Sequence, residues 1–282
     1  MDTTVAKGFA VLEVLSRAKR PMRLSALTEA LGFQKSNVHR LLGTLIELGY
    51  VQKDEETARY FASLKAWELG VAIISTNALR RMISPHLQKL HQLTLDTVLL
   101  TVPVGDEVLF LDRVAPARVL RYTPLNGTRA PMAVTASGRI FLSAMSEPQA
   151  AMSRGLAERP DLNMTPGEIM QELPKVRRDG FAVVTGGLTA RVRAVAAAIS
   201  GADGRPVAAI TVSNGESRMT GEHLQEAIEA LLTTCAEIGE ISPPGRLRTL
   251  RGCWAAAAKS PGLARPRPPL PRAELRRTPS WR

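Results

Sequence analysis

Apolar residues recur along the front of the chain with helical spacing, and further on they switch to the two-residue spacing of strands. Thr3 or Thr4 can cap a first helix running to about Ala18, with Val5, Phe9, Leu12 and Leu15 on one face. "KRPMRLS" breaks it. A short helix begins near Ser25 and ends at Leu31, with Gly32 as its stop signal. A third runs from about Lys35 to Leu48, and Gly49 ends it. Val38, Leu41, Leu42 and Leu45 form its predicted buried stripe. The far side carries Ser36, Arg40, Gly43 and Glu47, flanked by Asn37, His39 and Thr44. "YVQKDEETARYFAS" alternates around a polar centre and predicts a β-hairpin turning at 54–57. Three helices, a tight turn before the third and a hairpin predict a mainly α winged helix-turn-helix over residues 1–62. In such a unit the third helix fits a DNA major groove, its N-terminal end reaches base edges, and the hairpin lays Lys53 and Arg59 along phosphates. A small helical bundle with a solvated polar face has the same pattern, so periodicity alone leaves both open.

Residues 63–80 predict a connecting helix, and "LRRMISPHLQKLHQL" the first helix of a new domain, broken before Pro85. "TVLLTVPVGDEVLFLDRV" predicts two strands around Gly105-Asp106, and "VLRYTPLNG" a third. Helices are expected from about Thr135 to Met145 and on to Val176. "GFAVVT", "VRAVAAAIS" and "PVAAITVSN" supply three more strands, and a final helix spans about 221–238. Strands joined by hairpins and framed by helices predict an α+β domain with an antiparallel sheet over 81–242.

Charge changes this picture less than its total suggests. The chain of 282 residues has a net charge of +11, but residues 243–282 hold ten Lys/Arg against one acid. Residues 1–62 are only mildly basic and 63–242 balance, so the total does not by itself argue for DNA binding at the front. The tail has eight prolines in 40 residues and little apolar periodicity, which predicts disorder. It is either a basic arm adding nonspecific DNA affinity or a segment with no specific role. No run approaches 18 apolar residues, so neither a membrane span nor a membrane partner is expected. The N-terminus lacks a secretory pattern, and two cysteines, Cys235 and Cys253, form no framework; a reducing cytoplasm is the expected location.

Enzyme chemistry finds little support. His39, His86, His91 and His223 have no carboxylate or Cys partner at catalytic or metal spacing, so no metal and no cofactor is expected. "SGADGRP" and "TGGLT" match no phosphate loop, and Ser137-Gly138 is not a nucleophile elbow.

Over residues 4–242 the chain resembles the IclR family of bacterial transcriptional regulators. The resemblance is carried by "KGFAVLEVLS", "LSALTEALGFQKSNVHRLLGTLIELGYV" and "RYFAS" at the front. Further on it is carried by "LNGTRAPMAVTASGRIFLSA" and "RRDGFAVVTGGLTARVRAVAAAISGADGRPVAAITVSN". It implies a winged-helix DNA reader joined by a helix to a GAF-like effector-binding domain. It also implies a homodimer, or a dimer of dimers, on a roughly palindromic operator in double-stranded DNA. By match to the family, Lys35, Ser36, Asn37, His39 and Arg40 should meet DNA, with Thr44 beside them and Lys53 and Arg59 behind. Arg40, outward and cationic, suits guanine or a phosphate; Asn37 suits an adenine edge.

The resemblance also implies a pocket for a small organic acid where the sheet meets the helix near Ser137. Amides at a helix N-terminus favour an anion. Matched positions suggest a lining of Val119, Tyr122, Ala136, Ser137, Ala194, Thr211 and Ser213. Inward hydroxyls at Ser137, Thr211 and Ser213 are the more informative, because buried hydroxyls need partners. The chain departs from the family at Ala133 (often His), Gly186-Gly187 (usually an acidic pair), Ala194 (polar or Cys in some members) and Arg139 (usually Lys). These changes leave room for a bulkier, more apolar acid, or mark a weakened effector response.

Overall fold

The computed structural model describes residues 3–116, 124–162 and 164–241. The expected third strand falls largely on 117–123, and the tail on 242–282; both lie outside the described residues. By its contacts the chain divides into two compact units, one reaching Ser75 and the other beginning at Thr76.

The first unit holds helices α1 (Thr3–Arg17), α2 (Leu24–Leu31), α3 (Lys35–Glu47) and α4 (Lys65–Ser75), with strands β1 (Met22–Arg23), β2 (Val51–Asp54) and β3 (Arg59–Ala62). The strands pair antiparallel in the order β1-β3-β2. Gly32 ends α2 in the left-handed region at φ 65°, a conformation that favours glycine. Val11, Leu15, Leu27, Val38, Leu41, Leu42, Val51 and Tyr60 form the core. Each such aliphatic side chain contributes about 1.5–3 kcal/mol on burial. The covered face of α1 differs from the expected one. Leu15 is buried, but with Ala10 and Val11, whereas Val5 and Phe9 are exposed. Periodicity gives the residues that share a face, and tertiary packing selects which side of a broad apolar stripe is covered.

The second unit opens on α5 (Ala78–Thr94), whose N-cap Asn77 accepts a hydrogen bond from the Arg80 amide. The expected break before Pro85 is not present: Pro85 lies inside α5. Ile83, Leu87 and Leu90 are fully buried on either side of it, and that burial outweighs the roughly 3 kcal/mol penalty of an interior proline. Strands β4 (Thr97–Val104) and β5 (Glu107–Val114) turn at Gly105, and β6 (Arg129–Pro131) lines the edge. A 3-10 turn (Met132–Val134) leads to α6 (Ala136–Ser143), α7 (Gln149–Ala157) and α8 (Pro166–Asp179). Then come β7 (Phe181–Thr185), β8 (Val192–Ser200), β9 (Pro206–Gly215) and α9 (Gly221–Ile241). The six strands form one antiparallel sheet, β6-β5-β4-β9-β8-β7, which is the α+β, GAF-like architecture expected. Alternate residues of the sheet, among them Leu99, Phe110, Ala182, Val184, Ala196 and Ala209, pack with α6 and α8 in one core.

Glycines let backbone approach backbone around the 3-10 turn. A Cβ on Gly138 would stand 2.0 Å from the Met132 carbonyl oxygen, and one on Gly187 2.2 Å from that of Val134. These contacts hold the start of α6 and the β7–β8 loop against the same turn, forming one wall of a cavity.

Candidate functional site

α3 presents its polar side to solvent without an acid in its first turn. Lys35, Ser36, His39, Arg40 and Thr44 are exposed and Asn37 is half-buried. Val38, Leu41 and Leu42 are buried beneath them, so the helix is held by one side and offers the other. Arg40 Nη2 donates to Asn37 Oδ1 at 3.3 Å, joining the two side chains most suited to base edges. Thr44 is turned back onto its own helix, its hydroxyl donating to the Arg40 carbonyl at 3.3 Å. Lys53 stands beside Glu55, with Nζ 3.0 Å from Oε2, and this hydrogen bond raises its pKa above the ordinary lysine value. Arg59 reaches the Pro21 carbonyl at 3.5 Å.

In the second unit, the sheet and the start of α6 enclose a cavity of about 450 Å³. Strand register explains its floor. Thr97, Ser213 and Ala194 lie side by side on β4, β9 and β8, and Leu99 and Thr211 form the next row. Ala136 and Ser137 enter from α6, Phe110 from β5, and the β7–β8 loop from Gly187 to Arg191 completes the rim. The structure thus gathers five of the proposed lining residues, Ala136, Ser137, Ala194, Thr211 and Ser213, around one cavity; Val119 and Tyr122 lie outside the described residues. Thr135 caps α6 by accepting from the Gly138 amide at 3.0 Å. The amides of Ala136 and Ser137, in the first turn, have no helical acceptor and carry the positive end of the helix dipole.

Two features of the wall lie beyond what spacing revealed. Thr211 is 5% exposed and its hydroxyl has no hydrogen-bond partner among the described residues. Arg191 is the one cation in the described lining, with φ 59°. The sequence shows it only as an arginine after a Gly-Gly turn. The loop bearing it is braced by Arg159, whose Nη1 donates to the carbonyls of Gly187 at 3.0 Å and Leu188 at 3.3 Å. Asp161 hydrogen-bonds Arg159 and raises its pKa, while Asp161 itself is held below the usual carboxylate range.

The four departures separate in space. Gly187 and Ala194 line the cavity; Ala133 and Arg139 do not. Arg139 is buried beneath α8, with Nε donating to the Ala133 carbonyl at 3.1 Å and Nη1 to Glu172 at 2.7 Å. Burial lowers its pKa and Glu172 opposes that. It braces two helices and leaves the pocket's polarity unchanged.

The histidines also read differently in three dimensions. His223 Nε2 lies 2.8 Å from Asp96 Oδ2, a carboxylate with no exposure that also accepts from Asn214 at 2.6 Å and Arg218 at 3.1 Å. The partners are over 100 residues apart in sequence, so spacing could not pair them. The cluster ties the start of β4 to β9 and α9. Cys235 is buried, which pushes its thiol pKa up to about 12 and leaves it protonated. Among the described residues no group of three His, Cys, Asp or Glu could hold a metal ion, and no helix is long and apolar enough to cross a membrane.

The family model for the bacterial transcriptional regulator IclR C-terminal region matches residues 71–240, and that for the IclR helix-turn-helix domain matches residues 4–55. The chain belongs to the IclR family. It is 28% identical over 238 residues to the Pca regulon regulatory protein of Pseudomonas putida, covering 82% of this chain and 80% of that one. An IclR transcriptional regulator from Alicyclobacillus acidocaldarius superposes with a TM-score of 0.71 at 25% identity, covering 85% of this chain and 98% of that one. An IclR homolog from Microbacterium hydrocarbonoxydans, solved in complex with 4-hydroxybenzoate, shares the fold at 19% identity and a TM-score of 0.68, covering 85% of this chain and all of that one. As an IclR-family member the chain is a DNA-binding transcriptional regulator with a C-terminal effector-binding domain, and its relatives are transcriptional regulators rather than enzymes.

Proposed function

We propose that this regulator responds to a small organic acid bound in the cavity of its second unit. The observation that carries the reading is the Thr211 hydroxyl, buried and unpartnered on the cavity floor. Leaving such a group unsatisfied costs about 1–3 kcal/mol, so a ligand supplying a hydrogen-bond partner regains it. The amides of Ala136 and Ser137 and the guanidinium of Arg191 suit a carboxylate, and Leu99, Phe110 and Val184 suit an apolar or aromatic body. Ser213 and Ala194 complete the floor. The homolog bound to 4-hydroxybenzoate supplies a first probe, not an identity for this ligand.

On the DNA side, Lys35, Ser36, Asn37, His39 and Arg40 are the proposed groove contacts, with Thr44, Lys53 and Arg59 at the margin. The exposed, acid-free first turn of α3 supports this assignment. A homodimer on a roughly palindromic operator is the proposed assembly. It is supported by α4, which has no buried residue and leaves Trp67 66% and Ile73 65% exposed, and by the exposed Val5 and Phe9 of α1. The proposed domains are 1–62 for DNA, 63–80 for the connection, 81–242 for the effector and 243–282 for a basic tail.

Fluorescence anisotropy on DNA from the protein's own upstream region, at fixed salt, tests the effector reading. Aromatic and short-chain carboxylic acids, 4-hydroxybenzoate among them, are added in turn. An acid that shifts affinity several-fold is the expected result. Tight binding that no acid alters refutes the organic-acid assignment.

A further inference from the structure

The tip of the β2–β3 hairpin is anionic: Asp54, Glu55 and Glu56 face one lysine there, Lys53, which Glu55 already engages. Such a tip repels the phosphates that a wing would ordinarily approach. The cations of this sheet lie elsewhere. Register sets Arg23 of β1 directly opposite Arg59 of β3, and Met22 opposite Tyr60. Tyr60 is buried in the core, so Arg59 and Arg23, one step along, stand together on the solvent side. Cross-strand partners have Cβ atoms about 4.5–5.5 Å apart, and like charges at that distance repel. Nearby groups relieve them only in part. Arg59 donates to the Pro21 carbonyl at 3.5 Å, and Asp54, opposite it on β2, feels its charge. Asp54 accepts from the Glu56 and Thr57 amides at 3.0 Å each, however, and the Thr57 amide, not Arg59, is the main cause of its lowered pKa. No carboxylate pairs with Arg23 among the described residues, and Lys19 and Arg20 lie exposed in the segment leading to it.

We infer that the Arg23–Arg59 pair is a phosphate-binding site that grips the DNA backbone, and that it replaces the hairpin tip as the sheet's backbone anchor. A phosphate between two guanidiniums turns their repulsion into two charge-assisted, bidentate contacts. Such contacts carry no sequence information; they position the protein while α3 reads bases. The inference rests on α3 facing the groove, because β1 and β3 belong to the same compact unit.

The test uses the full chain, a short duplex selected for tight binding from a random pool, and anisotropy between about 50 and 200 mM salt. Each neutralised phosphate adds about 0.9 to the slope of log affinity against log salt. The double variant Arg23→Gln/Arg59→Gln leaves that phosphate without a cation and is expected to lower the slope by about 0.9, so that over this range its affinity falls about 3.5-fold less than that of the unaltered protein. Arg23→Lys is expected to keep the full slope, and base preference on single-substituted duplexes stays the same in both variants. Should the double variant fail to fold, Arg23→Glu, which sets a carboxylate opposite Arg59 and cancels the pair's charge, reads the same site. An unchanged slope in these charge-removing variants overturns the clamp alone. If no duplex is selected by the unaltered protein, the DNA-reading assignment of α3 fails with it.

Discussion

Replacing Thr211 by Val should make the ligand-free protein more stable and the liganded complex weaker. The two side chains are nearly the same size, so the change swaps a buried, unpartnered hydroxyl for a methyl group. Thr211 sits beside Leu99 and Ala196 on the neighbouring strands, both buried, so the new methyl meets an apolar floor. Relief of an unsatisfied hydroxyl is worth about 1–3 kcal/mol, less whatever water in the cavity already supplies. Taking about 1 kcal/mol as the net gain, a unit of this size shifts its melting temperature upward by about 2–4 °C. With the effector bound, the lost hydrogen bond is worth about 0.5–1.5 kcal/mol, or a two- to tenfold loss of affinity. Differential scanning calorimetry on the ligand-free protein and anisotropy titration with the active acid measure the two signs separately. A Val variant that melts several degrees lower would show that the hydroxyl is satisfied in the free protein. One that binds the acid as tightly as before would show that the ligand does not use it.

Arg40→Ala should lose about 1–3 kcal/mol of operator discrimination while leaving the melting temperature unchanged, because the side chain is exposed; specific binding retained in a competition assay against random DNA removes Arg40 from the interface. Gly187→Ala places a methyl 2.2 Å from the Val134 carbonyl and 2.8 Å from Val184 Cγ1, so a loss of about 1–3 kcal/mol is expected by chemical denaturation; an unchanged midpoint refutes the close approach. Glu168 closes a capping box with Thr165, whose backbone amide is the main cause lowering its pKa. A carboxylate lowered on folding contributes stability that is full above its unfolded value, near 4.3, and is lost as pH falls through the folded one. Glu168→Gln should therefore flatten the melting temperature's fall between about pH 5 and 3, and a profile parallel to that of the unaltered protein would refute the capping role.

The sequence by itself determined what depends on neighbours in the chain. The buried stripe of α3, the stop at Gly32, the hairpin turn at Gly105 and the strands β7 to β9 all follow from spacing and turn chemistry within a dozen residues. So did the family, because its motifs are local and ordered. Tertiary structure decided what depends on residues far apart. It covered Ala10, Val11 and Leu15 rather than Val5 and Phe9, and it carried α5 through Pro85, since burial is set by the partner element. It paired His223 with Asp96 and turned Arg139 towards Glu172, away from the cavity. It left the Thr211 hydroxyl without a partner and set Arg23 beside Arg59. Both depend on strand register: pairing brings side chains together that no spacing in the chain relates.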